Sequence, residues 1–218
     1  MFIDIKKILK KYKIKPRGVI HVGMHEGNEV IKYFFLGIKN VLGFEANKTV
    51  FNRLKKKLLF NILPYFKLDI FNLAVCNSDG LVDFYITSSD QSSSLLKLKK
   101  HLEIYPDIIE IESTKVNAIT LDKFFRLNKN LKLEDYNFLN MDIQGSELLA
   151  LKGAEKVLQN IDIINIELNF DELYENCALY YQIDDFLLKF NFKRIETFKK
   201  FHDSWGDGVY IKEKYLIK

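Results

Sequence analysis

The sequence predicts an α/β fold built on a mostly parallel sheet of seven strands, with the last strand antiparallel and a small insertion of strands and loops. Short apolar segments that stop at a glycine or an acidic residue alternate with segments whose apolar residues recur at helical spacing. The links between them are short, which is typical of βαβ units and therefore of parallel strands. Near the C-terminus two apolar segments follow each other without a helix, which favours an antiparallel pair there.

The first half of the chain contains two strand–helix pairs after an N-terminal helix within residues 1–16. Pro16 ends that helix because the residue before a proline disfavours the helical conformation. The next two apolar runs stop at Gly23 and Glu45, and each is followed by a segment with one apolar face. We expect strands at 18–22 and 40–44, and helices at 26–36 and 49–60.

Residues 78–130 are interpreted as an insertion over the active face of the sheet. A turn at 77–80 and a polar loop at 88–94 interrupt the alternation, and the segment is too short to hold a core of its own. The chain, residues 1–218, is therefore interpreted as a single domain. In this region we expect strands at 71–76, 81–86 and 116–119, and a helix at 121–127.

The alternation of strands and helices resumes after the insertion. Apolar runs that end at Asp142 and Glu167 are again each followed by a helical pattern. We expect strands at 137–141 and 161–166, helices at 146–158 and 183–190, and a final pair of strands at 192–198 and 208–212.

Composition indicates a globular protein without a membrane span. Hydrophobic residues make up 48% and charged residues 28%, no apolar stretch reaches transmembrane length, and the N-terminus carries no secretory signal. Cys76 and Cys177 match no metal or redox spacing, so we expect buried thiols in a reducing, cytoplasmic compartment. The net charge is only +4 and arginine is scarce, which argues against nucleic acid as a partner.

A glycine-containing turn follows the first predicted strand. Gly23 and Gly27 let the backbone approach a ligand, and the next helix offers free N–H groups. Glu45 ends the second strand, where a carboxylate accepts hydrogen bonds from both hydroxyls of a ribose. These features predict a site for an adenosine-type cofactor. The candidate cofactor-binding residues are His21, Gly23, Met24, His25, Glu26, Gly27, Glu45, Ala46, Asn47, Asp142 and Ile143.

The type of cofactor follows from what the turn lacks. A dinucleotide site calls for Gly-x-Gly-x-x-Gly, and the position two before Gly23 is His21. S-adenosylmethionine carries no phosphate and needs fewer glycines. The antiparallel pair at the C-terminus also suits a class I methyltransferase better than a dehydrogenase. An NAD(P)-dependent oxidoreductase and a catalytically silent binding module are the alternatives.

Acidic residues end two strands of the second half. Asp142 and Glu167 stand at the carboxyl ends of strands, where open α/β sheets bind ligands. Both are candidate general bases, as is His202 in the loop before the last strand. Asp142 and Glu167 also have the chemistry to hold a divalent cation, although we predict a site without a metal.

Short segments spread over residues 17–212 carry a resemblance to a known family. They are IHVGMHEGNE at 20–29, GFEAN at 43–47, NLAV at 72–75, DQSSSLL at 90–96, TLD at 120–122, LNMDIQGSE at 139–147, LKGA at 151–154 and WGD at 205–207. In this order they resemble the FkbM-type methyltransferase family over nearly the whole chain.

The resemblance implies S-adenosylmethionine as cofactor and methyl transfer to an oxygen. We expect the acceptor to be a saccharide hydroxyl in a glycan, with a polyketide or another small-molecule hydroxyl as the alternative. Many members carry Asp where this chain has His21, so the contact between this position and the methionine part of the cofactor departs from the family pattern. The expected substrate-binding residues are Ser93, Ser94, Gln144, Glu147, Asn169 and Trp205.

Overall fold

A computed structural model describes residues 3–61, 67–199 and 201–216. The first two residues of the expected N-terminal helix lie outside this range. Within it, the helices are α1 (Ile5–Lys11), α2 (Val30–Phe35), α3 (Lys48–Asn61), α4 (His101–Ile104), α5 (Leu121–Leu127), α6 (Glu147–Lys152), α7 (Glu155–Asn160) and α8 (Tyr180–Leu188). The strands are β1 (Gly18–Val22), β2 (Asn40–Phe44), β3 (Lys67–Phe71), β4 (Ala74–Val75), β5 (Gly80–Thr87), β6 (Glu110–Ile119), β7 (Phe138–Met141), β8 (Ile163–Asn169), β9 (Phe192–Phe198) and β10 (Trp205–Lys212).

The main sheet has seven strands in the order β3-β2-β1-β7-β8-β10-β9. All neighbouring pairs are parallel except the two that involve β10, which runs antiparallel to both β8 and β9. This arrangement confirms the predicted fold class. The strand order reverses between β1 and β7, so the ends of these two strands flank the crevice in which open α/β sheets bind ligands.

The central strands form because they are buried on both faces and carry almost continuous apolar sequence. On one face Ile20, Leu139 and Ile164 belong to a core that also contains residues of α5 to α8. On the other face Val19 and Phe138 belong to a core with residues of α1, α2 and α3. Full burial of each such side chain contributes about 1.5–3 kcal/mol.

The segment from 67 to 76 differs from the sequence interpretation. A single strand at 71–76 was expected, but the chain forms β3 up to Phe71 and then β4, which belongs to another sheet. Strand β3 lies at the edge of the main sheet and its residues are only partly buried after the exposed Lys67. Such a strand does not need continuous apolar sequence, and KLDIF lacks the apolar run by which the central strands were identified.

The helix expected at 146–158 is divided into α6 and α7. The division lies at Gly153, where an added Cβ would stand 2.1 Å from the carbonyl oxygen of Cys76. Only glycine permits this close approach, and the chain turns there to begin α7. The helix expected at 26–36 begins only at Val30, after the glycine turn, and the helix expected at 183–190 is instead Tyr180–Leu188.

A second sheet of three strands, in the order β4-β6-β5, occupies residues 74–119. Strands β5 and β6 form a long antiparallel ladder, and the segment between them contains α4. Helix α5 follows directly, but its Leu121 and Phe124 are part of the core of the main sheet. The segment that we expected as an insertion, about 78–130, therefore ends in a helix that packs with the main domain.

Both cysteines are buried free thiols. Among the described residues, no helix has the length and hydropathy needed to cross a membrane.

The side chain of Asn137 links the segment before β1 to the central part of the main sheet through hydrogen bonds. Its buried side chain accepts a hydrogen bond from the backbone N–H of Arg17 at 2.8 Å and donates to the carbonyl of Lys15 at 3.0 Å. The same amide nitrogen donates to Asp162 Oδ2 at 2.8 Å. The side chain thus satisfies groups that would otherwise be buried without partners.

Replacing this amide tests how much the fold depends on it. Asn137→Ala should lower the free energy of unfolding by about 1–3 kcal/mol, because buried backbone groups lose their partners. Urea denaturation measures the change. Asn128→Ala, which removes one hydrogen bond from a half-buried residue at the end of α5, is the control and should cost less. Equal losses in the two variants would contradict this role for Asn137.

Candidate active site

A cavity of about 390 Å³ opens where β1, β2, β7 and β8 end. It is large enough for a small-molecule ligand. The predicted site residues that line it are His21, Gly23, Met24, His25, Glu26, Glu45, Ala46, Ser93, Asp142, Ile143, Gln144, Glu167 and Trp205. The structure thus brings together most of the cofactor candidates and both acidic strand ends.

The glycine turn is pressed against the end of β7. Gly23 has a φ of +79°, and a Cβ on it would lie 1.8 Å from the carbonyl oxygen of Asp142. The backbone N–H groups of Gly23 and Met24 both donate to the carbonyl of Phe44, at 3.0 and 2.9 Å. The turn is therefore fixed between the ends of β2 and β7, and any side chain at Gly23 would force these strands apart.

Glu45 is held with its carboxylate in a defined orientation beside the turn. One oxygen accepts from the backbone N–H of His25 and the other from that of Asn47, each at 2.8 Å. The residue is buried, and this burial raises the pKa of its carboxyl group. Each oxygen retains a second lone pair for a ligand hydroxyl.

The insertion reaches the glycine turn through Asp90. Asp90 Oδ1 lies 2.8 Å from His25 Nε2, and its other oxygen pairs with Arg53 of α3. Arg53 Nε also lies 3.6 Å from Oε1 of Glu26, near the end of the turn. These charged groups connect the turn, α3 and the insertion at the rim of the cavity.

Three carboxyl groups lie side by side at the other end of the cavity. Asp207 of β10 pairs directly with Glu167 of β8, and Asp142 follows Met141, the partner of Ile166 on β8. Asp142 is exposed towards the cavity, whereas Glu167 and Asp207 are buried. We call Asp142, Glu167 and Asp207 the carboxyl row. Asp207 was not among the predicted site residues, although the quoted segment at 205–207 contains it.

Burial and mutual repulsion raise the pKa values of two members of the carboxyl row. Although Asp142 lines the open cavity, protein atoms surround it, and this loss of solvation raises its pKa; the neighbouring Asp207 raises it further. Glu167 has a pKa well above the ordinary carboxyl range, first because it is buried and then because Asp142, Glu147 and Asp207 repel its negative charge. Neighbouring like charges disfavour the simultaneous ionisation of these carboxyl groups.

Gln144 organises this row. Its Nε2 donates to Asp142 Oδ1 at 2.6 Å and to Glu167 Oε2 at 3.0 Å. The hydroxyl of Tyr174 donates to Gln144 Oε1 at 2.7 Å and so fixes the orientation of the amide. A donor therefore lies between the two carboxyl groups, where a shared cation would need acceptors. Among residues 3–61, 67–199 and 201–216, no group of three or more His, Cys, Asp or Glu is arranged to hold a metal ion.

Aromatic side chains line the outer part of the cavity next to the carboxyl row. Trp205 Nε1 donates to the hydroxyl of Tyr105 at 3.2 Å, and the exposed ring of Phe201 lies 5.7 Å from that of Trp205. His101 and Tyr174 pack beneath them with their rings 5.6 Å apart. Of these five residues the sequence singled out only Trp205 as a substrate contact, because the others come from distant segments.

Three of the other predicted residues lie outside the cavity lining and form hydrogen bonds to residues that belong to it. The backbone N–H of Asn47 binds Glu45, and its side chain caps the start of α3 through the N–H of Thr49 at 3.0 Å. Ser94 Oγ donates to the backbone carbonyl of Gln144 at 2.7 Å. Glu147 is buried and accepts from the backbone N–H of Ile143 at 2.9 Å, and burial raises its pKa to about 8.

The remaining predicted residues also lie outside the cavity lining. Gly27 sits against Leu54 of α3. His202 is exposed in the loop before β10, and its Nδ1 accepts from the backbone N–H of Ser204 at 3.1 Å. Asn169 is buried next to Trp205 on the neighbouring strand, and its amide group has no hydrogen-bond partner among the described residues.

The fold is similar to those of several solved structures. A methyltransferase FkbM from Methylobacillus flagellatus KT superposes with a TM-score of 0.60 at 14% identity, over 90% of this chain and 44% of that one. A magnesium protoporphyrin IX methyltransferase from Synechocystis PCC 6803 with bound SAM gives 0.52 at 11% identity, over 95% and 76%. A protein in the NADB-Rossmann superfamily from Streptococcus agalactiae gives 0.52 at 11%, over 97% and 69%. The present chain spans less than half the length of the first protein.

Sequence comparison identifies the family of this protein, in addition to its fold. No curated protein matches the sequence. The family model described as the methyltransferase FkbM domain matches residues 21–194, which include the glycine turn, Glu45, Asp142 and Glu167. Because this match covers most of the chain, the protein belongs to the FkbM methyltransferase family.

Proposed function

We propose that this protein binds S-adenosylmethionine and transfers its methyl group to a hydroxyl, most suitably one on a sugar. The observation that carries the proposal is that one cavity joins the oriented carboxylate of Glu45 at one end to the carboxyl row at the other. The first feature suits a ribose, and the second suits an acceptor hydroxyl.

The residues around Glu45 fit the adenosine part of the cofactor. The two carboxylate oxygens of Glu45 have lone pairs for the two ribose hydroxyls. Leu73, Val75 and Phe84 line the same cavity and offer an apolar surface for the adenine ring. The absence of a side chain at Gly23 lets the turn lie against the end of β7, and Gly23 also lines the cavity.

The bound cofactor would supply a methyl group on a positively charged sulfur, which is ready for in-line displacement by an oxygen. The protein would hold the acceptor oxygen in line and accept its proton. Asp142 is our first candidate for this base because it is exposed to the cavity, and Glu167 is the second. His202 is less suitable because it lies outside the cavity lining.

A sugar acceptor is favoured by the polar and aromatic groups that meet beside Asp142. Sugars present several hydroxyls around an apolar face, which suits a row of carboxyl groups next to aromatic rings. Trp205 and Tyr105 supply the rings, and Glu167 and Asp207 supply acceptors for hydroxyls that are not methylated. Ser93 also lines the cavity and is retained as a substrate contact.

A polyketide or other apolar molecule with a hydroxyl is the second candidate acceptor. Ile108, Leu173 and Phe201 line the outer cavity and favour it. Measuring methyl transfer to both kinds of acceptor separates sugars from apolar molecules.

Ligand-induced stabilisation tests the cofactor. S-adenosylhomocysteine should raise the melting temperature, because it binds the native state, and NAD should not. Glu45→Gln should weaken binding of S-adenosylhomocysteine roughly 10- to 100-fold, since a hydrogen bond to a charged group contributes about 1.5–3 kcal/mol. Isothermal titration measures the affinity, and Glu155→Gln on the exposed surface of α7 is the matched control. Stabilisation by NAD alone would overturn the proposal.

Methyl transfer tests the reaction itself. Purified protein with labelled cofactor should add a methyl group to members of a panel of mono- and oligosaccharides, as detected by mass. Asp142→Asn should lower the rate by about 10²–10⁴-fold while S-adenosylhomocysteine still binds, as expected for loss of a general base. Asp185→Asn, on the exposed side of α8, should leave the rate unchanged. A methyl gain on polyketide hydroxyls alone would contradict the sugar assignment.

The pH dependence gives an independent check on the base. The pKa values of Asp142 and Glu167 are raised, so the base is protonated at pH values where an ordinary carboxyl group is ionised. The rate should therefore still be rising with pH above pH ~5, where a carboxyl of normal pKa has already lost its proton. A rate that is level from pH 5 upwards would argue against a base in the carboxyl row.

A further inference from the structure

A row of polar side chains crosses the centre of the main sheet below the carboxyl row. His21 of β1 is the register partner of Asn140 of β7, and Asn140 is the partner of Asn165 of β8. All three are buried in mainly apolar strands, and all three line the cavity. Tyr33 of α2 packs against this row and is fully buried. Buried polar groups are costly unless they are hydrogen-bonded, so their arrangement needs an explanation.

These side chains form a continuous series of hydrogen bonds with one direction. Asn165 Nδ2 donates to Asn140 Oδ1 at 2.8 Å, and Asn140 Nδ2 donates to the hydroxyl of Tyr33 at 2.8 Å. The hydroxyl of Tyr33 lies 3.1 Å from His21 Nδ1. With Asn140 donating to the oxygen of Tyr33, the single proton of this hydroxyl can be donated to His21 Nδ1.

The protonation of the imidazole follows from this direction. A ring nitrogen that accepts a hydrogen bond carries no proton, so the proton of a neutral His21 is on Nε2. Burial lowers the pKa of His21 to about 4, which keeps the ring neutral at pH 7. His21 therefore presents an uncharged N–H donor at the cavity. At the other end of the series, Asn165 Oδ1 has no hydrogen-bond partner among the described residues.

The position of His21 indicates which part of the cofactor it meets. Strand β1 lies between β2, which is followed by Glu45, and β7, which is followed by Asp142. The apolar side of the cavity, at Leu73 and Val75, suits the adenine ring, so the charged amino-acid part extends to the polar side. Glu29, which also pairs with Lys32 Nζ at 3.4 Å, lines that side together with His21, and its negative charge favours an ammonium group there. An uncharged N–H donor suits the carboxylate.

We propose that Tyr33, Asn140 and Asn165 are positioning residues that hold His21 as the Nε2–H tautomer, which donates a hydrogen bond to the methionine carboxylate of the cofactor. An aspartate at position 21 would instead accept a hydrogen bond from the ammonium group. The carboxylate contact rests on the proposed cofactor, whereas the tautomer is a property of the protein without ligand.

Nitrogen-15 NMR of the imidazole rings in the ligand-free protein tests the tautomer. The chain has only four histidines, so His21→Gln suffices to assign the signals of His21. At pH 7 we expect an unprotonated Nδ1 and a protonated Nε2. A protonated Nδ1 would mean that the series of hydrogen bonds runs in the opposite direction, and it would overturn the inference even if S-adenosylhomocysteine binds.

Tyr33→Phe tests the link to the cofactor, since it removes the donor to Nδ1 and leaves the ring of the side chain in place. The variant should show a mixture of the two tautomers and should bind S-adenosylhomocysteine roughly tenfold more weakly. Its affinity for adenosine, which lacks the methionine part, should be unchanged. Tyr210→Phe is the matched control, because Tyr210 is equally buried but donates to Asp184 away from the cavity.

The outcomes separate this inference from the proposed function. Equal losses for adenosine and S-adenosylhomocysteine in Tyr33→Phe, or no loss for either, would overturn the carboxylate contact. If neither ligand binds the wild-type protein while the NMR signals show the Nε2–H tautomer, the proposed cofactor fails and the carboxylate contact fails with it, but the assignment of the tautomer is supported.

Discussion

The site depends on the contact between the glycine turn and the end of β7. The Cα of Gly23 lies so close to the carbonyl of Asp142 that no side chain fits between them, and the N–H of Asp142 donates to the carbonyl of Val22 at 3.1 Å. This contact joins the half of the cavity that contains Glu45 to the half that contains the carboxyl row. In the proposed binding mode, a cofactor at the first half would have its reactive end next to the second.

The polar groups of the site are held by the protein at a cost to its stability. Three carboxyl groups share one end of the cavity, and burial and mutual repulsion raise the pKa values of Asp142 and Glu167. Gln144 and Tyr174 offset part of this cost through hydrogen bonds to the row and to each other. Such concentrations of unfavourable charge are common at catalytic sites, where the altered proton affinity is useful.

The sequence predicted the parts of the fold that have a strong local signal. The limits of β1 and β2 were predicted correctly because both strands are mainly apolar and are followed directly by a glycine or a glutamate. Strand β3 was missed because it lies at the edge of the sheet and alternates polar and apolar residues. The division of α6 from α7 depends on a contact with Cys76 that is distant in sequence.

The same distinction applies to the site. Glu45 and Asp142 were identified because each follows a strand directly, so their positions can be derived from the sequence alone. Asp207 reaches Glu167 only through the antiparallel pairing of β10 with β8. Tyr33 was interpreted only as part of a helix, because its bond to His21 depends on how α2 packs on the sheet. Register and packing, which set these contacts, are not visible in a single sequence.

The central claim is that one cavity places a ribose at Glu45 and an acceptor hydroxyl at Asp142. A crystal structure of the protein with S-adenosylhomocysteine and a methyl-accepting saccharide tests it most directly. We expect both ribose hydroxyls within hydrogen-bond distance of the Glu45 carboxylate, with the sulfur directed towards an acceptor oxygen beside Asp142. A ribose bound away from Glu45, or an acceptor outside the carboxyl row, would contradict it.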